Sequence, residues 1–400
     1  MTRTPSAPGP TSLAVAALLT ALVAFGPIST DLYLASLPDM ARDFHVGIEQ
    51  AQLTLSVFLA GFAATMLIYG PLSDRFGRRP VILGGVLIYL LGSVACTVAP
   101  TMDTLIAARF LQALGACCGP VVGRAVVRDV YPREQAAKVL SYMASAMAIA
   151  PFAAPILGGW LHSLLGWRSN FVLLTLFGLI LLVAVYRLLG ETNGHRDRTA
   201  LSPTAMLINY RTLLTDRRVL GYTLTVALVF SGMFTFISAS SFVLIEVMGL
   251  PPALFGFGFA VVIAGYITGG LVAGRHTHRI GLDRMIRLGT MGCAVSGLTA
   301  AGLAWAGITT MPAVLLPLMV FFLCAALVLP NSTAGAIAPY PRMSGAASAL
   351  VGFLQMSMGA AIGWLHAATF DHTTRPLGTL VAVLGVGAWV VFTVLVRKRD

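Results

Sequence analysis

A chain of 400 residues with 57% hydrophobic and only 10% charged residues cannot fold as an ordinary soluble globule, because soluble domains carry nearer a quarter charged residues. Its net charge of +11 would fit a polyanionic partner, yet the basic residues sort by topology and not into a nucleic-acid-binding patch. Composition excludes a soluble enzyme or a nucleic-acid-binding domain and predicts an all-α integral membrane protein.

Stretches of about 20 apolar residues match a ~30 Å hydrocarbon core at ~1.5 Å rise per residue. Twelve are read, at 13–37, 48–70, 80–100, 104–125, 136–162, 168–189, 219–245, 253–274, 285–306, 311–330, 343–368 and 377–396. Met1 to Pro10 carries Arg3 as its only charge and lacks a basic region leading into a small-residue cleavage site. The first span is therefore expected to stay and direct insertion. Threading the spans with both ends on one side places 22 of the 26 basic residues beside the N-terminus. Arg42, Arg168 and Arg375 fall opposite, and Arg109 lies within a span. That bias predicts both termini in the cytoplasm. The expected organisation is a tail at 1–12, six spans at 13–189, a cytoplasmic linker at 190–218, six spans at 219–396 and a tail at 397–400.

In span one, Asp31 stands five residues short of the outer end, where an ionised carboxylate costs roughly 2.5–3.5 kcal/mol on insertion scales. Such residues are functional candidates, although the amides of a broken helix could also satisfy the carboxylate. Gly26-Pro27, one turn earlier, weakens the helix and allows bending. Between spans two and three stands Gly70-Pro71-Leu72-Ser73-Asp74-Arg75-Phe76-Gly77-Arg78-Arg79-Pro80. Its two glycines, one acid and three arginines can dock on neighbouring helix ends and latch a conformation by charge pairing.

Span four carries Arg109 and Gln112. Arg109 lies six residues, ~9 Å, from the outer end, and Asp31 five residues, ~7.5 Å, so the two charges share one depth. Coupling between them is the preferred reading; the alternative is an arginine that snorkels to headgroups. Burial and a nearby cation push a carboxyl's proton affinity in opposite directions. Moving Arg109 or a substrate relative to Asp31 would then exchange a proton for cargo. Span five has Pro151, Pro155, Gly158 and Gly159, a bend followed by a site of close helix approach.

In the linker, the short apolar patch Met206-Leu207-Ile208 leaves open a position on the membrane surface. In span seven, Met233 and Phe234, with Phe230 and Phe236, either line a pliable cavity or pack in the core. Tyr33, Gln112, Asn331 and Gln355 are polar at membrane depth and are candidates to hydrogen-bond cargo. His162 and His366 close spans five and eleven and are expected at the interface. All five cysteines fall within spans without metal-ligand spacing, so packing is expected of them, with neither metal nor cofactor.

The halves repeat at one offset of 204 residues: Gly159-Trp160-Leu161-His162 recurs as Gly363-Trp364-Leu365-His366, Arg75-Phe76-Gly77 as Arg279-Ile280-Gly281, and Ala35-Ser36 as Ala239-Ser240. Matches in register indicate duplication, and six spans return the chain to its starting side, so the repeats are parallel and a substrate site lies between them. This pattern resembles the major facilitator superfamily. The Gly70–Pro80 segment is similar to its loop signature G-x-L-a-D-r-x-G-r-k, and Arg109, Gln112 and Gly115 to its R-x-x-q-G motif. Ala150–Gly159 resembles the antiporter signature G-P-x-x-G-G, with Ala154 in place of the first glycine. In the second copy of the loop His278 replaces the acid, so the latch is expected on the first half alone.

Ser29–Leu34, Gly123–Asp129, Pro330–Ala334 and Gly345–Gln355 look like the Bcr/CflA-type drug:proton antiporters. The resemblance implies the major facilitator fold, with alternating access by two rocking six-helix bundles in a bacterial inner membrane. It implies a monomeric proton-coupled exporter of small amphipathic drugs, such as chloramphenicol- or bicyclomycin-type compounds, driven by the proton gradient. The alternative is a proton-coupled transporter of a metabolite such as a sugar, amino acid or organic acid. No His/Asp/Glu cluster, nucleophile constellation or phosphate loop supports an enzyme.

Overall fold

A computed structural model describes residues 12–194, 196–197 and 199–396; the tail readings for 1–11 and 397–400 lie outside the described residues. Every regular element among these is helical. The first span is α1 (Leu13–Val23), α2 (Phe25–Asp31), a 3-10 turn at Leu34–Ser36 and α3 (Leu37–Asp43), with a 43° bend at the first break. Proline explains the break. Pro27 has no N–H to give the carbonyl of Val23, and its ring crowds that carbonyl, so α1 ends there.

The second span, α4 (Ile48–Phe76), runs straight through Gly70–Phe76. The expected loop is therefore a helix extension followed by one residue, Gly77, and then α5 (Arg78–Val98). Gly77 makes the reversal at φ 106°, and Gly281 repeats it at φ 90° in the second half. A side chain is disfavoured at such angles, which is why glycine stands there. Span four is α6 (Met102–Ala116) and α7 (Cys118–Val130), and the break again falls four residues before a proline, Pro120.

The remaining elements are α8 (Arg133–Leu165), α9 (Arg168–Leu188), α10 (Pro203–Thr215), α11 (Arg217–Ser241), α12 (Pro252–Ile280), α13 (Leu282–Trp305), α14 (Met311–Ile337), α15 (Ser344–Thr369) and α16 (Arg375–Leu395). A π-helical turn, Phe242–Val247, prolongs α11. Among the described residues eleven helices are long and apolar enough to cross a membrane, and the bent first pair makes twelve. The segment between the halves contains α10, which packs on α11 and α15 and leaves Leu207 and Ile208 exposed.

Within the first half α5 packs on α6 and α9, and α4 on α6; within the second, α13 packs on α14 and α16, and α12 on α14. The halves meet along two seams, α4 on α15 and α8 on α12. The end of the molecule carrying Gly77 and Gly281 is called here the loop end, and the opposite end, where α8 and α15 finish, the far end.

Candidate functional site

Asp31 terminates α2 and is 3% exposed. Thr30 donates its hydroxyl to Asp31 Oδ1 at 2.8 Å, and among the described residues no ion pair reaches the carboxylate. The backbone beside it is gripped from α8. A Cβ on Gly158 would overlap the Leu32 carbonyl oxygen, so the span-five glycine lets α8 lie directly against the residue after Asp31. Its neighbour turns the other way. A Cβ on Gly159 would sit 2.7 Å from the Pro252 carbonyl oxygen of the opposite half. Pro151 and Pro155 lie inside α8 one turn apart and do not break it.

Arg109 is fully buried and does not reach out to headgroups. It donates to the Ser29 carbonyl oxygen at 2.9 Å and to the Gln112 side-chain oxygen. Gln112 in turn donates to Ser93 Oγ at 2.7 Å, and Ser29 Oγ pairs with Tyr89 at 2.8 Å. The guanidinium carbon lies 4.3 Å from the Phe58 ring centroid, 4.6 Å from that of Tyr33 and 5.9 Å from that of Phe171. Burying a cation costs several kcal/mol. Two charge-assisted hydrogen bonds at about 1.5–3 kcal/mol each and a desolvated ring contact near 2 kcal/mol offset a cost of that order. The cage thus holds Arg109 without a carboxylate. It forms no ion pair with Asp31, and the two meet through the Ser29–Tyr33 backbone.

The expected cargo residues divide. Tyr33 is fully buried, bonded to Thr54 Oγ1 at 2.9 Å and packed on Phe171, and Gln112 is committed to Arg109 and Ser93, so both serve the cage. Asn331 donates to the Leu327 carbonyl oxygen at 2.7 Å and to Thr277 Oγ1, in the second half toward the loop end. Met233 and Phe234 are buried, and Phe234 stacks on Phe230 against the glycines of α15. Gln355 is half-buried on α15. These six do not converge on one point.

The latch residues gather at the loop end of the first half. Arg78 bridges Asp74 Oδ1 at 2.5 Å and Asp129 Oδ2 at 2.9 Å and also donates to Ser73 Oγ. Arg79 donates to the Tyr186 carbonyl oxygen at 3.0 Å, while Arg75 lies over the Phe76 ring. No Cβ contact constrains Gly70. This cluster, expected to act as a latch, joins α4, α5 and α7 of one half, and among the described residues no ion pair carries it to the other.

Sequence reasoning missed its clamp. Glu191 Oε1 accepts from the backbone N–H of Arg78, Thr192 and Asn193 at 2.9 Å each, and Asn193 Nδ2 donates to the Asp74 carbonyl oxygen at 3.0 Å. Partial burial pushes the Glu191 carboxyl up, but the N–H groups of Asn193, Arg78, Thr192 and Arg79 outweigh it and hold the group below its ordinary value of 4.5. Nothing local in Glu191-Thr192-Asn193 announces a partner more than a hundred residues away.

The two histidines expected at the interface are buried. His162 is 8% exposed, with Nε2 2.7 Å from Asp39 Oδ2; His366 is 0% exposed, with Nδ1 3.5 Å from Gln52 Oε1. Neighbouring helices cover these helix ends, which hydropathy cannot foresee.

Comparison with known proteins agrees with this architecture. The family model of the Major Facilitator Superfamily matches residues 17–364. The chain is 30% identical to the Bicyclomycin resistance protein homolog of Haemophilus influenzae over 92% of this chain and 91% of that protein. It is also 30% identical to Multidrug resistance protein D of Escherichia coli over 92% of each. Its fold superposes on the partially occluded inward open xylose transporter XylE from E. coli with TM-score 0.74 at 14% identity, covering 96% of this chain and 98% of that one. The chain belongs to the Major Facilitator Superfamily, on the Bcr/CflA-type branch that its motifs resemble.

Proposed function

We propose that this protein is a proton-coupled exporter of small amphipathic drugs, such as chloramphenicol- or bicyclomycin-type compounds. It would sit in the bacterial inner membrane as a monomer with both termini and the loop end in the cytoplasm. The observation that carries the coupling is Asp31: a carboxylate 3% exposed, at a helix break, with one hydroxyl donor and no ion-pair partner among the described residues. A group so placed binds and releases a proton according to the water that reaches it. Arg109, held in its cage and bonded to the carbonyl oxygen of Ser29, two residues before that carboxylate, sets the local field while itself remaining fixed.

The proposed cycle rocks the bundles at 13–189 and 219–396 against each other, with 190–218 as tether. A drug enters from the loop end while Asp31 is ionised, and the far end then opens. A proton from that side displaces the drug, and protonated Asp31 lets the empty carrier return. Met233 and Phe234 offer an apolar wall suited to such cargo, and Gln355, half-buried beside it, a hydrogen-bonding group. The resistance proteins named among the relatives support the drug reading over a metabolite; the likeness to a xylose transporter is one of fold alone.

The test uses everted vesicles from an efflux-deficient bacterium. Asp31→Asn is expected to insert normally and to lose drug-evoked proton release while the parent retains it. Proton release by the variant at the parent's rate would refute the coupling role of Asp31. Unchanged susceptibility of cells carrying the parent, across amphenicols, bicyclomycin, dyes and sulfonamides, would remove the drug reading.

A further inference from the structure

The seam between α4 and α15 contains a polar cluster in an otherwise apolar interface. Gln52 Nε2 donates to the Ser238 carbonyl oxygen at 3.1 Å, crossing from the first half to the second. His366 Nδ1 lies 3.5 Å from Gln52 Oε1. Glycine brings the helices this close: a Cβ on Gly363 would stand 3.0 Å from Ser56 Oγ of the opposite half. Gln52 and His366 are both 0% exposed. Among the described residues, the hydroxyls of Ser56, Ser238 and Ser241 and the Nε2 of His366 have no hydrogen-bond partner.

The contact suits one tautomer. With Gln52 Nε2 given to a carbonyl, its oxygen faces the imidazole, and a ring proton on Nδ1 points at that oxygen. Nε2 is left as a bare lone pair inside the seam. A second proton there would create a buried cation whose new N–H has no acceptor, which the closed seam penalises on both counts.

We propose that His366 is a second proton-binding site, distinct from Asp31, whose protonation opens the far end of the path between the bundles. This rests on the proton-coupled reading above, in which the far end faces the acidic side. The proton comes from water on that side, adds to Nε2 as the seam parts, and returns to the same water before the seam closes. It gates the cycle without crossing the membrane.

The surroundings favour the imidazolium once the seam opens. A recess of about 420 Å³ at the far end adjoins the cluster and is lined by Ala367 and Phe370, which follow His366 on its own helix, and by residues of both halves. Phe370 stands between, 5.7 Å from the His366 ring and 5.3 Å from that of His372. Lining this recess are Glu49 at the start of α4, Glu246 on the π-helical turn, Arg42 near the end of α3, His45 just after it, and His372 before α16, with Asp371 next to His372 in the chain and Arg375 turned onto Trp305. α14 carries no charged residue, and α11 only Arg217 and Arg218 at the loop end. Every one of the facing groups is exposed and meets water with the seam closed. Among the described residues, His366 is the titratable group in contact with Gln52 at the seam.

The experiment places nitroxide labels on cysteines introduced at Leu164 and Trp305, exposed far-end positions on opposite bundles, in the full chain in lipid nanodiscs. All five native cysteines are buried. Pulsed electron–electron distances should show the wide population rising about fivefold or more between about pH 8 and pH 5.5, across the histidine range. His366→Asn should abolish that rise, and Asp31→Asn should keep it. Gln52→Leu, which retains His366 but removes the cross-seam bond, should widen the far end already at the higher pH. A rise in His366→Asn equal to the parent's, or no widening in Gln52→Leu, would overturn the proposal. Nanodiscs carry no gradient, so this outcome is independent of the vesicle assay that tests Asp31.

Discussion

Asp31 and Gly158 show how one side chain and one missing side chain shape the proposed coupling site. The carboxylate could be placed from sequence because a charge inside an apolar stretch has no cheap structural use. The glycine was visible as a motif, but its reason is not: only the packed structure brings the Leu32 carbonyl to where its Cβ would be. Adding that methyl forces α2 away from α8, an overpacking cost of about 1–3 kcal/mol, and moves Asp31 with it. Gly158→Ala is therefore expected to lower both the melting temperature and proton-coupled efflux. Gly270→Ala, where no atom lies within 4 Å of the new methyl, is expected to leave both unchanged. Arg109 went the other way: its depth suggested a partner in Asp31, but aromatic rings supply most of its surroundings. Ring faces leave no trace in a charge pattern, so the cage of Phe58, Tyr33 and Phe171 was illegible beforehand.

At the level of elements, prolines and glycines carried the readable information and long-range polar contacts carried the rest. Pro27 and Pro120 each end a helix four residues upstream, and Gly77 and Gly281 each reverse the chain in a single residue. The helix ends went astray where polar residues continued a helix: α4 runs six residues past the expected end at Gly70, and the Asp74–Arg78 pair ties its last turn to the start of α5 across Gly77. The clamp on that turn has a pH signature. A carboxyl held below its ordinary value contributes stability that is fully present above that value and is lost as pH falls through its lower, folded value. Parent and Glu191→Gln are thus expected to differ in melting temperature at neutral pH. The difference should close as the pH drops below 4.5, the ordinary glutamate value. Scanning calorimetry across the acid range reads it directly.

For the whole molecule, the halves touch at the far end through Gln52 on Ser238, Gly159 on Pro252, Gly363 on Ser56, and Trp160 beside Phe257 with ring centroids 6.4 Å apart, and the α4–α15 seam continues toward the loop end through Gly352 on Met66. Alternating access requires these to part. Cysteines replacing Trp160 and Phe257, once oxidised to a disulfide, should stop drug efflux, and a reductant should restore it. Efflux that continues with the bridge intact would mean that this seam does not open during transport. The twelve spans and the duplication could be read from hydropathy and from matches 204 residues apart. The burial of His162 and His366 could not, because it depends on which helices close over them.

In both copies of Gly-Trp-Leu-His the leading glycine touches the opposite half, Gly159 at Pro252 and Gly363 at Ser56. A single ancestral edge thus became two hinges on opposite flanks of one joint. Enlarging either glycine alone would leave one flank tight and the other propped, so the halves would meet askew and not merely farther apart. Whatever clearance this carrier has for swinging is therefore set by its tighter hinge, although neither flank touches the other.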